Sequence, residues 1–398
     1  MKKRFSALNV ALACILSACI AIGCMSFVFV SKYGEVTSVP AAGKFAAIYN
    51  VIENYYVGDA DMEQIADFAY RAMVYATEDE WSYYMSPEEY EEYKHFQDNT
   101  YSGIGITVSS DGENPLHTIE IIAENSPAQR AGLLVGDTLL TLDGKNLEGM
   151  SSSEIRALIV EKEGKEFQIS VKTKDGTEKT VTVASEAIYT EPVKGEMLEN
   201  NVGYIKIKNF ETGCGEGINT ALDKLVADGA KSIVFDVRNN PGGLLEELLK
   251  ALDHILPEGE IFVSRDKLGN EKVETSNADC VDIPMAVLIN ENTYSAAEFF
   301  AAALSEFDWA TTVGSSTTGK ARSQISIELT DGSAVHISTN SYLTPKRVDL
   351  SETGGLVPNI KTDINEENAA YLAAGQLAHD KDEQLLSAIS GLNADIDK

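Results

Sequence analysis

From Leu8 to Val30 the chain is almost continuously apolar, and Met1-Lys-Lys-Arg4 stands before this run. Its 23 residues would span about 35 Å as a helix, enough to cross a hydrocarbon core of about 30 Å. The basic start favours a cytoplasmic N-terminus with the remainder outside. A cleaved signal peptide and a lipoprotein compete with an uncleaved anchor: Leu16-Ser-Ala-Cys19 has the form of a bacterial lipoprotein box, but residues 20–30 stay apolar where a lipoprotein would turn polar.

Residues 35–100 then take a helical period, with amphipathic stretches at Phe45–Tyr56 and Met62–Ala76 before the aromatic-rich Trp81–Tyr93. Ser86-Pro-Glu-Glu reads as a helix start, with an N-cap serine, proline at N1 and acids in the first turn. The aromatics of this block are expected in a core. Beyond Ser102 the pattern shortens to strands such as Thr118–Ile122, with one helix at Ser152–Val160. From Val202 it alternates: strand Val202–Ile207, helix Gly217–Ala227, strand Ser232–Asp236, strand Ile283–Ile289 and strand Ile325–Leu329. The tail from Glu366 is helical and polar.

Candidate chemistry falls where these patterns change. Ser295 follows the polar elbow Asn290–Tyr294 and precedes the helix formers Ala296–Leu304, a strand–turn–helix geometry that exposes a hydroxyl at a helix N-terminus. Such a serine is more often only an N-cap. Lys320, in Gly319-Lys-Ala-Arg-Ser-Gln324, would ordinarily be solvated. As a base it needs a desolvated pocket that brings its pKa down from about 10.4. If Gln324 is to hold its amine, residues 320–324 should form a turn, because four extended residues span about 13 Å. Val237-Arg-Asn-Asn-Pro-Gly-Gly243 opens another helix with bare backbone, and Arg238 and Asn239 are expected to brace that turn. Gly103-Ile-Gly-Ile106 offers a backbone N–H nest suited to a carboxylate.

Together these segments resemble the carboxyl-terminal processing peptidases, the tail-specific serine proteases of family S41 that use a Ser-Lys dyad. The resemblance covers about residues 40–390 and rests on Ser295, Lys320 and Gln324 at intervals of 25 and 4, on Arg238-Asn-Asn-Pro-Gly-Gly243, and on the PDZ-like Ser126-Pro-Ala-Gln-Arg-Ala-Gly-Leu-Leu-Val-Gly-Asp137. It implies Ser295 as nucleophile, Lys320 as general base and Gln324 as the residue orienting it. The oxyanion donors would be the N–H of Ala296 and that of Gly242 or Gly243, and Gly103, Ile104, Gly105 and Ile106 would bind a peptide terminus. The implied fold is a multidomain α/β architecture: a cytoplasmic stub and membrane helix (1–34), an N-terminal helical region (35–101), an inserted PDZ domain (102–185), an α/β Ser-Lys protease core on a mixed sheet (186–364) and a C-terminal helical tail (365–398). Two departures from the family pattern are Val160-Glu161, where relatives often carry Arg, and Asn359 in place of Asp.

The resemblance further implies protein substrates with apolar C-terminal tails, a homodimer through the N-terminal helices, a regulatory partner and no cofactor. The location would be a single-pass cell-membrane protein with an extracytoplasmic catalytic part. With 32 basic and 62 acidic side chains the net charge is −30, which argues against nucleic acid as a partner. Cys14, Cys19 and Cys24 fall in the apolar run; Cys214 and Cys280 could form one disulfide in an oxidising exterior but are expected as free thiols, and no spacing suggests a metal site. Among the histidines, His254 and His336 could face a site, with His336 a satisfied strand residue rather than the base. The alternative reading is a non-catalytic PDZ-type receptor on a peptidase fold.

Overall fold

The computed structural model describes residues 39–109 and 116–396. The Leu8–Val30 run, with its anchor, lipoprotein and signal readings and its three cysteines, lies outside the described residues. Among the described residues no helix is long and apolar enough to cross a membrane.

The chain forms two compact units, Met1–Thr77 and Glu78–Lys398. In the first, α1 (Val39–Tyr55) and α2 (Met62–Tyr75) meet through Phe45 and Tyr70, whose rings stack at 6.1 Å. Asp61 caps α2 by accepting the N–H of Gln64. Ile48, Val51, Phe68 and Met73 remain exposed.

The second unit departs at once from the expected helical block. Tyr83–Met85 is a strand, β1, antiparallel to residues 334–336. Three residues before the Ser86 cap cannot complete a helical turn, and two tyrosines suit a pleated surface. Helix α3 (Pro87–Gln97) then begins as its sequence predicts: Glu89 donates its N–H to the Ser86 hydroxyl and reaches back with its carboxylate to the Ser86 N–H.

β2 (Thr100–Gly103) leads into a small β domain built from β3 (Ile106–Ser109), β4 (Thr118–Ile122), β5 (Thr138–Leu142), β6 (Lys145–Asn146), helix α4 (Ser152–Val160), β7 (Glu166–Lys172) and β8 (Glu178–Ala184). Its own core joins Ile119, Leu139, Ile155, Phe167 and Val171. The chain leaves by β9 (Glu186–Tyr189), which pairs antiparallel with β2 to form a two-stranded stem. At the base of the stem, Asn99 accepts the N–H and hydroxyl of Thr190 on its carbonyl and bonds Thr212 and Asn209 through its side chain.

The core sheet holds β10 (Val193–Met197), β11 (Val202–Ile207) and β12 (Ser232–Asp236), then β15 (Met285–Ile289), β16 (Ala310–Gly314) and β19 (Ile360–Lys361), in that spatial order and parallel after the first pair. Continuous β-branched runs fit strands covered on both faces. Alternate residues pack one way, against helices α5 (Cys214–Ala227), α6 (Leu245–Ile255) and α7 (Ala296–Glu306). The others face α8 (Glu383–Ile396), whose Leu385, Ala388 and Leu392 close the opposite side, so the tail is not polar throughout. A second sheet joins β1, β13 (Gly259–Asp266), β14 (Glu271–Ser276), β17 (Arg322–Glu328) and β18 (Ala334–Leu343). Cys214 is buried, Cys280 exposed, and both are free thiols.

Arg238, 1% exposed, fastens the turn after β12. Its guanidinium donates to both oxygens of Asp236 and of Asp382, and to Gln384, at 2.6–3.0 Å. Burial by itself would raise the Asp236 carboxyl, but Arg238 and Lys206 hold it far below the ordinary carboxylate range. With its folded pKa depressed, the stabilisation is complete above the ordinary range and fades only as acid drives the pH down toward the depressed value. Removing the cation leaves two buried carboxylates facing each other. Arg238→Ala is expected to cost about 3–5 kcal/mol, read as a lower midpoint in urea denaturation of the full chain.

Candidate active site

The elbow after β15 is fixed before the serine is reached. Thr293 donates its hydroxyl to the Val237 carbonyl, Asn290 accepts the N–H of Asn239, and the Asn290 amide donates to the Asn239 side chain. These bonds join the elbow to the turn held by Arg238. Ser295 follows with φ 58° and ψ −130°, a backbone conformation that costs a residue with a Cβ about 1–3 kcal/mol and is kept only where neighbours over-determine it. Glu298 supplies the constraint by accepting the Ser295 N–H at 2.8 Å. Ala296 begins α7, so its N–H has no carbonyl four residues back to bond.

Gly242, at φ 88°, packs directly beneath this serine: a Cβ there would lie 2.7 Å from the Ser295 Cβ. The two glycines of the turn differ in what remains free. The Gly242 N–H donates to Asn240 Oδ1 at 2.8 Å, whereas the Gly243 N–H has no hydrogen-bond partner among the described residues.

Glu298 is also the residue that places Lys320. The carboxylate is 0% exposed and takes two donors on each oxygen: the Thr317 hydroxyl (2.5 Å) and Gly319 N–H (2.6 Å) on Oε1, and the Ser295 and Lys320 N–H groups (both 2.8 Å) on Oε2. Burial raises its carboxyl above the ordinary value against the pull of those donors. Lys320 is half-buried, with Nζ 4.6 Å above the centre of the Trp81 ring, and Trp81 in turn stacks on Tyr294. Burial lowers the Lys320 pKa, while the carboxylates of Asp79, Glu298 and Glu211 work in the opposite direction.

Ser295, Lys320, Gly243 and Gln324 line one cavity of about 340 Å³; Gly242 and Ala296 are not among its lining residues. The expected turn at 320–324 is not formed. β17 already starts at Arg322, and the register against β18 shifts between Ser323 and Gln324, a bulge that reorients the strand without ending it. Gln324 donates its amide to the Arg322 carbonyl (3.2 Å) and the Ser338 hydroxyl (3.0 Å), not to Lys320. His336 also reaches the cavity, with Nδ1 2.9 Å from the Ser326 hydroxyl, and burial and the Lys320 charge push its pKa down to about 4. Tyr83, Tyr93 and Phe96 line the wall as well, correcting their expected place in a core. An aromatic-rich helix start gives no sign of which face it turns to a site.

In the β domain, Gly103, Ile104, Gly105 and Ile106 line a second cavity of about 270 Å³, closed by Ile155 and Ile159 of α4. Gly105, at φ 80°, lets the loop pass Ser126, whose Cβ would lie 2.3 Å from a side chain at that position. Among the described residues no group of three or more His, Cys, Asp or Glu is placed to hold a metal ion.

The functional residue that the sequence reading missed is Glu298, although Ser295-x-x-Glu298 has capping-box spacing. Replacing one of its oxygens by an amide NH₂ would set donors against donors. Glu298→Gln is therefore expected to lower the melting temperature and reduce kcat by at least about tenfold with a smaller change in KM, checked by thermal unfolding and steady-state peptide cleavage.

Residues 201–362 match Peptidase family S41, and residues 95–173 match the PDZ domain. The carboxy-terminal processing protease CtpA of Bacillus subtilis (strain 168) is 29% identical over 342 residues, covering 84% of this chain and 72% of that protein. A CtpA-like serine protease of Staphylococcus aureus (strain MSSA476) is 27% identical over 386 residues, covering 95% and 76%. The solved structure of an S41 protease from Bacteroides fragilis NCTC 9343 shares the fold at 18% identity, with a TM-score of 0.54 over 88% of this chain and 97% of that one. With a strand–elbow–helix serine and a half-buried lysine around one cavity, and a separate β domain carrying a glycine-rich groove, the chain belongs to peptidase family S41 as a carboxy-terminal processing serine peptidase with a PDZ domain.

Proposed function

We propose that Ser295 is the nucleophile of this peptidase and Lys320 its general base. The observation that carries the reading is the single Glu298 carboxylate bonded to the backbone N–H of both residues, on the wall of a shared cavity. Neutral Lys320 Nζ takes the Ser295 hydroxyl proton as the oxygen attacks the substrate carbonyl, then returns it to the leaving amine. Water repeats the cycle on the acyl-enzyme. The N–H groups of Ala296 and Gly243 stabilise the oxyanion; Gly243 is favoured over Gly242 because the Gly242 donor is already occupied by Asn240. Gln324 lines the same cavity without adding charge, its amide held by the Arg322 carbonyl and the Ser338 hydroxyl rather than by Lys320.

The groove at Gly103–Ile106 receives the end of a protein tail by strand addition, and Ile155 and Ile159 favour an apolar terminal residue. The apolar run at Leu8–Val30 anchors the chain in the cell membrane, with the peptidase on the extracytoplasmic side. Exposed apolar residues of α1 and α2 suit a homodimer through the N-terminal helices.

The test is cleavage of an unstructured reporter ending in Leu-Ala-Ala by the full chain in mild detergent. Ser295→Ala and Lys320→Ala should each lower kcat/KM by about 10²–10⁴-fold while retaining tail binding. Full activity in Lys320→Ala would sink the dyad. Because burial lowers the lysine pKa, kcat/KM should rise with pH to a plateau whose midpoint lies below that of a free lysine. A midpoint at or above the free value would show that the amine is not prepared as a base.

A further inference from the structure

Two buried glutamates stand near Ser295, and their surroundings differ. Glu298 has a donor for every direction its carboxylate can use. Glu211 is 5% exposed and lines the cavity that holds Ser295 and Lys320, yet its Oε2 has no hydrogen-bond partner. Buried polar atoms are generally satisfied, and an orphan in a reaction cavity asks for an external partner.

The carboxyl is not there by slack in the loop that bears it. The Phe210 N–H donates to the Gly242 carbonyl at 2.7 Å and the Leu244 N–H to the Phe210 carbonyl at 2.8 Å, bridging residue 210 to the glycine turn under Ser295. The Glu211 N–H donates to Asn209 Oδ1, the Cys214 N–H to the Glu211 carbonyl, and the Thr212 N–H to the Gln97 carbonyl. A Cβ on Gly243 would come 2.8 Å from the Glu211 nitrogen, so the two backbones are in close contact. The turn beside the nucleophile therefore sets where this side chain begins.

We propose that Glu211 forms a polar subsite beside Ser295, receiving a substrate side chain that bears a neutral hydrogen-bonding group, a hydroxyl or a carboxamide. The inference rests on the reading of Ser295 as the nucleophile in this cavity. Hydrogen bonding selects the neutral class. Arg322 shares the cavity and opposes a cationic side chain, and a carboxyl that carries its proton has no charge to pair with one. Burial pushes the Glu211 carboxyl up to about 8 despite the Lys320 charge, which keeps it protonated at neutral pH with both a donor and an acceptor to offer. Tyr83, Tyr93 and Phe96 supply the apolar wall against which the rest of the side chain lies.

The experiment uses the full chain and reporter peptides that differ at one position near the scissile bond, in the near-isosteric pairs Thr/Val and Asn/Leu, with products and rates read by mass spectrometry. For wild type, one position should show Thr over Val and Asn over Leu by about tenfold or more in kcat/KM. Glu211→Leu should erase that preference, and Glu211→Gln, which keeps a donor and an acceptor, should retain it. Glu211→Met serves as the second apolar variant where Glu211→Leu does not fold, and the wild-type profile alone is decisive if no position prefers Thr to Val. Unchanged profiles in the apolar variants, or a Glu211-dependent preference for Lys, Arg, Asp or Glu, would overturn the proposal while leaving the nucleophile reading intact, provided Ser295→Ala is inactive. An active Ser295→Ala would overturn both.

Discussion

Ser295 and Lys320 are both held in place by one carboxylate kept out of water. Glu298 is wholly buried, and an unpaired charge in that position would be untenable. It persists because four donors converge on it, two of them the backbone N–H groups of Ser295 and Lys320. Hydrogen bonds to a charged group contribute about 1.5–3 kcal/mol each, enough to offset the strained φ at Ser295. A residue one turn into a helix thus sets the register between Ser295 at a strand elbow and Lys320, 25 residues further along the chain.

That register is passed outward through the turn after β12. Asn239, Asn240 and Gly242 of the turn bond or abut the serine elbow. Arg238 ties the same turn to α8, packed on the far face of the core sheet. Asn99 connects the stem of the β domain to the loop carrying Glu211. Elements from widely separated parts of the sequence therefore meet within two or three bonds of the cavity.

Much of the fold was legible because its signals are local. β-branched runs at Val202–Ile207 and Ser232–Asp236 became buried strands with those bounds, and Ser152–Val160 became the helix facing the glycine nest. The strand–elbow–helix around Ser295 could be read from composition alone. What was not legible is decided by long-range pairing. β1 forms because residues 334–336 are beside it, and Gln324 joins a strand because β18 offers it a partner. Tyr83, Tyr93 and Phe96 line a cavity rather than a core, since a helix start carries no record of what lies across from it. Glu298 was hidden for a related reason: its capping spacing was visible, but its three bonds to the 317–320 loop were not.

The Arg238 clamp also bears on when the enzyme comes to exist during synthesis. Its second carboxylate, Asp382, is made 144 residues later. Until that segment emerges and α8 settles on the sheet, the glycine turn lacks its anchor and a buried guanidinium lacks half its counter-charge. A nascent chain can have Ser295, Lys320 and the glycine-rich groove fully translated while the turn beside them is still unanchored. The turn beside Ser295 is therefore fastened by one of the last parts of the chain to be made.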